Sequence, residues 1–376
     1  MHRILVNATP TEIARAREGP VQWDVAVHGA MVGAPWRELE VRPLDGRPPL
    51  DTQVLRRRLR GWRRAVSGPA ESSELAPRPA LGPARPPTWF ERAARLVFET
   101  DTVRVLAGID AVFTHLRGVR PRPRRVPVIR STNGVIPEIW NWRPSPYAEA
   151  VRDRHVALER TLADRADLVV CWTEYGAANL VAAGVDSRRV VVAPPVFDLP
   201  DPAGDPFDRG ERPRAVFIGD PFLKGLPEAL AALDQVPDLE LHIVGPGPPP
   251  ADDRPARTVW HGRLRPDQVA GLLRTSEFLL VPARYETFGV TYLEAMRAGA
   301  VVVASGLGTV KEVVGDAGVL VGQGDVAGLV TALRQLVESP RETAALAEAG
   351  RRRYEERFSQ PAAARALEDA LAPFWR

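Results

Sequence analysis

The sequence predicts an α/β protein built as two doubly wound domains facing a cleft. Short apolar runs alternate with longer stretches of helical period, the pattern of parallel sheets covered by helices. A Pro/Gly/Asp-rich break at residues 199–213 separates two runs of this same architecture. The length, 376 residues, exceeds one ordinary domain and suits two of roughly 150–200. The expected division is residues 1–200 and 211–359, with residues 360–376 packing back onto the first domain.

In chain order, the first half predicts strands at residues 4–6, 25–27, 111–113, 126–129, 168–170 and 190–192. Each ends near a turn former or polar residue, and ligands of such sheets sit beyond the strand ends. Residues 67–87 shift to Pro, Ala, Ser and Arg and read as an excursion from the domain. The second half predicts strands at 215–218, 239–244, 278–281, 300–303 and 319–321, then two Ala/Leu/Arg-rich helices. A short helix at 360–371 follows, ending in Phe374 and Trp375.

Composition narrows the function. A hydrophobic fraction of 45% and a charged fraction of 26% exclude a disordered chain. The lone cysteine, Cys171, excludes an intrachain disulfide framework and a cysteine metal cluster. The formal charge of +3 does not call for nucleic acid as a partner. The start lacks the apolar core of a signal peptide, and no apolar run reaches a membrane-spanning length, so a cytoplasmic protein is expected. The basic run of Arg56, Arg57, Arg58, Arg60, Arg63 and Arg64 around Trp62 reads as a solvated face. Its functional alternative is weak peripheral attraction to anionic lipid or to an acidic acceptor. Trp140 and Trp142 suit either packing or stacking on an acceptor ring.

The chemistry concentrates at residues 281–296. A buried strand enters a turn, and a helix is expected to begin near Phe288 or Gly289. The first amides of a helix lack intrahelical partners and sit at the positive end of its dipole, a cradle for phosphate. Glu286 falls in the turn and Glu294 more than one turn inside the helix, with seven residues between them. So placed, the two carboxylates reach different parts of one extended ligand.

In these residues the chain resembles the retaining glycosyltransferases of the family-4 type, which have the GT-B fold of two Rossmann-like domains. The signature is glutamate, seven residues and glutamate, with Phe288-Gly289 after the first and Ala295-Met296 after the second. The resemblance extends through Leu241 to Gly247, the turn at Gly262, Val302 to Glu312 and Ala317 to Val321. It continues more loosely over Glu159 to Val192 and thins over the first 150 residues.

The resemblance implies a nucleotide-sugar donor, an unidentified acceptor hydroxyl and no cofactor or metal. Glu286 would contact the donor sugar near the reacting carbon, and Glu294 the nucleotide ribose. Backbone amides at Phe288, Gly289 and Val290, with Thr291 beside them, would hold sugar hydroxyls and diphosphate. Lys224, in the loop that begins at Gly219, would neutralise the departing diphosphate. Arg263 and Leu264 would lie at the base. His115 matches a histidine that hydrogen-bonds the transferred sugar. Arg130 and Asn133 on the next strand end are its rivals for cleft positions, and a satisfied structural histidine is the plain alternative.

Two departures stand out. Asp220 replaces the arginine relatives carry after the Gly219 position. A carboxylate there repels diphosphate unless it turns away or a cation such as Arg284 compensates. The first strand is followed by Ala8, Thr9, Pro10 and Thr11 instead of a Gly-Gly loop. These departures motivate a second expectation, a degenerate transferase that binds nucleotide sugar or serves as a scaffold.

Overall fold

The computed structural model describes residues 3–7, 38–42, 111–115, 127–137, 148–197, 199–201, 211–246 and 257–375. The strand expected at 25–27, the Pro-rich stretch, the arginine run, Trp140, Trp142, the loop after the first strand and the His115 side chain lie outside these residues.

Two six-stranded parallel sheets organise the chain. The first contains β1 (Arg3–Asn7), β2 (Glu38–Arg42), β3 (Ala111–His115), β4 (Val128–Thr132), β5 (Leu168–Cys171) and β6 (Val190–Val192), in the order β2-β1-β3-β4-β5-β6. Helix α1 (Ala148–Ala163) leads into β5, and α2 (Glu174–Ala182) links β5 to β6. The second sheet contains β7 (Arg214–Ile218), β8 (Glu240–Val244), β9 (Thr258–Gly262), β10 (Phe278–Val281), β11 (Val301–Ser305) and β12 (Gly318–Val321), in the order β12-β11-β10-β7-β8-β9. Its crossover helices are α3 (Leu226–Leu233), α4 (Pro266–Arg274), α5 (Val290–Ala298) and α6 (Gly308–Val314). After β12 come α7 (Val326–Glu338), α8 (Pro340–Arg357) and α9 (Gln360–Leu371). The predicted α/β class with doubly wound sheets matches this architecture. The strands β2 and β9 went unpredicted.

Strand order places the ligand site before any side chain is considered. In the second sheet the chain winds outward from β7 through β8 and β9, then returns to the other side of β7 as β10. The crevice beyond the carboxyl ends of β7 and β10 is therefore the topological switch point, where ligands of such sheets bind. In the first sheet the equivalent crevice lies between β1 and β3, so His115, the last residue of β3, stands at its edge.

The sheet is built by residues buried on both faces, as a parallel sheet requires. Along β10, Leu279 and Val281 join the core beneath α4, α5 and α8. Phe278 and Leu280 join the core beneath α3 and α7. Period-two alternation therefore feeds two cores from one apolar run. Helix α4 begins with Pro266 at a position that needs no amide donor. The Gln268 side chain accepts from the Arg265 amide at 3.1 Å. Val269, Leu272 and Leu273 supply its buried stripe. Helix α9 returns to the first domain, where Ala362 and Ala366 line a cavity with Val192 and Pro194. No helix among the described residues is long and apolar enough to cross a membrane.

One edge of the second sheet carries a pH liability. The His242 ring meets the Glu240 carboxylate, and His261 Nε2 lies 2.9 Å from His242 Nδ1. Burial lowers the pKa of His242. Burial, then the neighbouring His242 and Arg214, lowers that of His261 to about 4. The unfolded chain then binds more protons than the folded one between pH ~6.5, the ordinary histidine value, and the folded value. Stability is therefore full above that window and falls as the pH drops through it. Urea midpoints at pH 7 and pH 5 will differ in the wild type, and His261→Phe will shrink the difference. An equal difference in both proteins would refute this account.

Candidate functional site

Two loops meet at the switch point beyond β7 and β10. The first runs from Gly219 to Gly225. Its Asp220 Oδ1 accepts the amides of Phe222 and Leu223 at 3.0 and 2.9 Å, closing the turn locally. The carboxylate in the position of an expected arginine thus turns into its own loop. Asp220→Ala removes two capping bonds and is expected to cost about 1 kcal/mol. Thermal melting of Asp220→Ala against Asp220→Asn checks this, since the amide oxygen still caps. Equal melting of all three proteins would exclude the capping role.

That turn aims Lys224 back across Gly219. A Cβ at Gly219 would lie 2.7 Å from Lys224 Cγ, and its φ of +127° also favours glycine. The Lys224 ammonium lies 2.6 Å from Glu286 Oε2, with side-chain exposures of 21% and 7%. Glu286 Oε1 accepts the Thr287 amide at 2.9 Å, and its backbone carbonyl accepts Thr309 Oγ1 at 3.1 Å. Every oxygen of Glu286 is therefore held. Sequence reasoning brought Gly219, Lys224 and Glu286 to one place, and the structure does so too.

Helix α5 starts at Val290, two residues after the earliest expectation and one after the latest. Gly289 is its N-cap, with φ +94° and ψ +61°, and no side chain caps the helix. The amides at Val290 and Thr291 therefore open the helix without a side-chain acceptor, beside the Lys224–Glu286 pair. The Phe288 ring takes no part in the crevice. It is fully buried, 5.8 Å from Trp172, 5.9 Å from Phe197 and 6.1 Å from Phe358. Tyr292 is buried as well. Burial, and secondarily the Glu286 charge, push its hydroxyl well above the ordinary tyrosine range.

Arg284, the proposed compensating cation, is held by Glu228 at 2.5 Å and lies 4.5 Å over the Phe222 ring. Glu294 stands apart from the lysine–glutamate pair. It lines a cavity of about 350 Å³ with Ala270, Arg274, Arg297 and Leu199, and burial raises its carboxyl to about 7. Arg263 is exposed just after β9, whereas Leu264 packs against the core.

In the first domain, one expectation is corrected. Arg130 does not reach a cleft. Its guanidinium is fully buried and paired with Glu159 at 2.9 Å, and the same carboxylate accepts Thr132 Oγ1 at 3.1 Å. On a strand buried over its whole length a charged side chain persists only when paired. Asn133 keeps a buried side-chain oxygen without a hydrogen-bond partner among the described residues. Sequence reasoning assigned no role to Thr309 or Glu312, whose partners lie 23 and 137–138 residues away. A threonine or glutamate near a helix start gives no sequence signal for such distant bonds.

Known proteins match both halves of the chain. Residues 43–200 match the family model described as Glycosyltransferase Family 4, and residues 212–339 match that described as Glycosyl transferases group 1. The MMP alpha-(1->4)-mannosyltransferase of Mycolicibacterium hassiacum is 36% identical over 159 residues, 39% of this chain and 39% of the relative. The chain thus aligns with well under half of that relative's length. The GDP-mannose-dependent alpha-(1-6)-phosphatidylinositol monomannoside mannosyltransferase of Mycolicibacterium smegmatis is 29% identical over 299 residues, 70% of this chain and 75% of the relative. Among solved structures, sucrose-phosphate synthase from Thermosynechococcus elongatus superposes with a TM-score of 0.69 at 19% identity, covering 100% of this chain and 99% of that one.

Proposed function

We propose, from the premise that the chain belongs to the GT-B glycosyltransferases of the family-4 type, that it moves a sugar from a nucleoside-diphosphate sugar to an acceptor hydroxyl with retention of anomeric configuration. The observation that carries this reading is the Lys224–Glu286 pair at the β7/β10 switch point, beside a helix start that no side chain caps.

Donor diphosphate enters that corner. The α5 amides and the Lys224 ammonium meet its charge, and Lys224 exchanges its bond to Glu286 for one to a phosphate oxygen. The bond from the anomeric carbon to phosphate breaks, and its electron pair leaves with the diphosphate. Charge accumulates on that oxygen in the transition state, where preorganised donors act most strongly. The acceptor oxygen bonds to the same face of the sugar, and its proton passes to the departing phosphate oxygen. Glu286, anchored by Thr287 and Thr309, holds the sugar and supports its developing positive charge. The base lies toward Arg263 and Leu264, the ribose toward Glu294, and the acceptor toward the first domain, where His115 ends β3. The nucleobase, the sugar and the acceptor, a natural product or a cell-envelope glycan or lipid, are the variables to screen.

Incubation with a panel of nucleotide sugars and acceptors, with the product anomer read by NMR, tests the reading. Transfer with retained configuration is expected. Inverted product, or no donor hydrolysis or transfer across the panel, would overturn it. Glu294 adds a pH signature. A carboxyl near pKa 7 accepts ribose hydroxyls fully only when ionised, so nucleotide affinity falls as the pH drops from about 8 to 6. Glu294→Gln will flatten that dependence in calorimetric titrations. An undiminished slope would exclude the ribose role.

A further inference from the structure

The two domains touch through a contact that neither the sequence nor the family reading explains. Helix α2, in the first domain, opens with three amides that lack intrahelical partners. The Gly176 amide is met locally by Thr173 Oγ1 at 3.1 Å. The other two are met from the second domain. Glu312 Oε1 accepts the Glu174 amide at 2.8 Å, and Glu312 Oε2 accepts the Tyr175 amide at 3.0 Å. One carboxylate thus occupies the positive end of a helix in the opposite domain, the favourable placement for its charge.

The element that carries Glu312 is fixed to its own domain at both ends. At the start of α6, Thr309 is buried and bonds the Glu286 carbonyl. At its end, the Arg353 guanidinium donates to the carbonyls of Glu312 and Val313, both at 2.7 Å. Gly308 lies against the Tyr175 ring so closely that a Cβ there would overlap it. Beside this contact, packing is incomplete. Trp172, Glu174, Phe288, Glu312 and Phe358 line a cavity of about 290 Å³. Farther in, Trp172 and Phe197 of the first domain share a buried cluster with Phe288 and Phe358 of the second, so the directed hydrogen bonds of Glu312 add orientation at the rim of an apolar contact.

We propose that Glu312 is a positioning residue: by clasping the start of α2 it fixes the closure of the two domains and so the alignment of an acceptor on the first domain with Glu286 on the second. This rests on the glycosyl-transfer reading for its kinetic consequence, but not for its structural one. The residues assigned to the nucleotide and its diphosphate lie in the second domain, so loosening the clasp spares most of donor binding and disturbs transfer.

The test uses the full chain and two variants that break the contact from opposite sides. Glu312→Gln presents an amide where two amides already point. Glu174→Pro removes one donor at the first helical position, where proline is well tolerated. The preceding Thr173 already has the extended φ of −140° and ψ of 151° that a following proline requires. Both are expected to lower kcat for transfer about tenfold, the effect of roughly one charge-assisted bond. Acceptor KM should rise, donor affinity should change by less than about twofold, and the double variant should be no worse than either alone. Glu312→Asp, which keeps the charge, should recover part of the loss. Small-angle scattering of the ligand-free proteins should show a larger radius of gyration in Glu312→Gln and Glu174→Pro than in wild type. Unchanged radius with unchanged kcat overturns the proposal, as does a loss of kcat matched by an equal loss of donor affinity. If wild type transfers no sugar from any donor, the functional reading fails, and the scattering comparison still decides the clasp.

Discussion

Lys224→Ala is expected to lower kcat for sugar transfer by about 10²–10³-fold, the usual loss when one preorganised donor to a developing anion is removed. The argument is positional. The lysine arrives from β7 and the glutamate from β10, the two strands that flank the switch point. They meet at 2.6 Å although 62 residues separate them in sequence. Among the described residues, no other ion pair includes Lys224 or Glu286. Arg284, the compensating cation expected from the sequence, is committed to Glu228 at 2.5 Å. The variant also leaves the buried Glu286 carboxylate without its cation, so melting should fall, by about 1–3 kcal/mol for a polar group deprived of a partner. Glu286→Gln separates these effects. It removes the charge that supports the sugar, keeps the carbonyl bond from Thr309, and leaves Lys224 free for diphosphate. Its kcat should fall while nucleotide affinity holds. Because the residues act as a unit, the double variant Lys224→Ala/Glu286→Ala should lose little more than the worse single one. Turnover close to wild type in Lys224→Ala would remove the assignment.

What could be read from the residues, and what could not, divides along physical lines. Buried parallel strands are continuous apolar runs, and Phe278 to Val281 announces itself by composition alone. The turn from Glu286 to Gly289 is equally legible, because a glycine between a strand and an amphipathic helix marks a positive φ. Strand β9 escaped since Thr258 to Gly262 is only partly buried and carries His261 and Trp260 where an apolar run was expected. Arg130 misled for the converse reason. A charge at a strand end looks exposed until its partner, Glu159, arrives from a helix 29 residues away. Glu312 was invisible for the strongest version of that reason, since its acceptor role exists only once two separately folded sheets are set side by side. Asp220 lies between these cases. Its repulsion of a diphosphate was foreseeable, but the capping bonds to Phe222 and Leu223 that draw it away depend on the turn itself.

Gly289→Ala is expected to be the most damaging single methyl in the second domain. Two costs coincide there. A φ of +94° is a backbone conformation that only glycine adopts without strain, worth about 1–2 kcal/mol. The added Cβ would also fall within the Tyr292 ring, which is fully buried and cannot swing aside, and overpacking of this kind typically costs about 1–3 kcal/mol. The combined loss of about 2–5 kcal/mol should appear in chemical denaturation, and nucleotide affinity should fall with it, because the helix start moves with the turn. Gly262 supplies the control. Its φ is +65° but nothing lies within 4 Å of a Cβ built there, so Gly262→Ala carries the backbone cost alone. Tyr292→Leu supplies the complementary one. It removes the ring that collides, along with a buried hydroxyl that has no hydrogen-bond partner among the described residues. In that background Gly289→Ala should lose its steric cost and keep its backbone cost, converging on the Gly262→Ala value. Should Gly289→Ala match Gly262→Ala in the wild-type background instead, the tight approach of Tyr292 to the helix start would not be what shapes the phosphate corner.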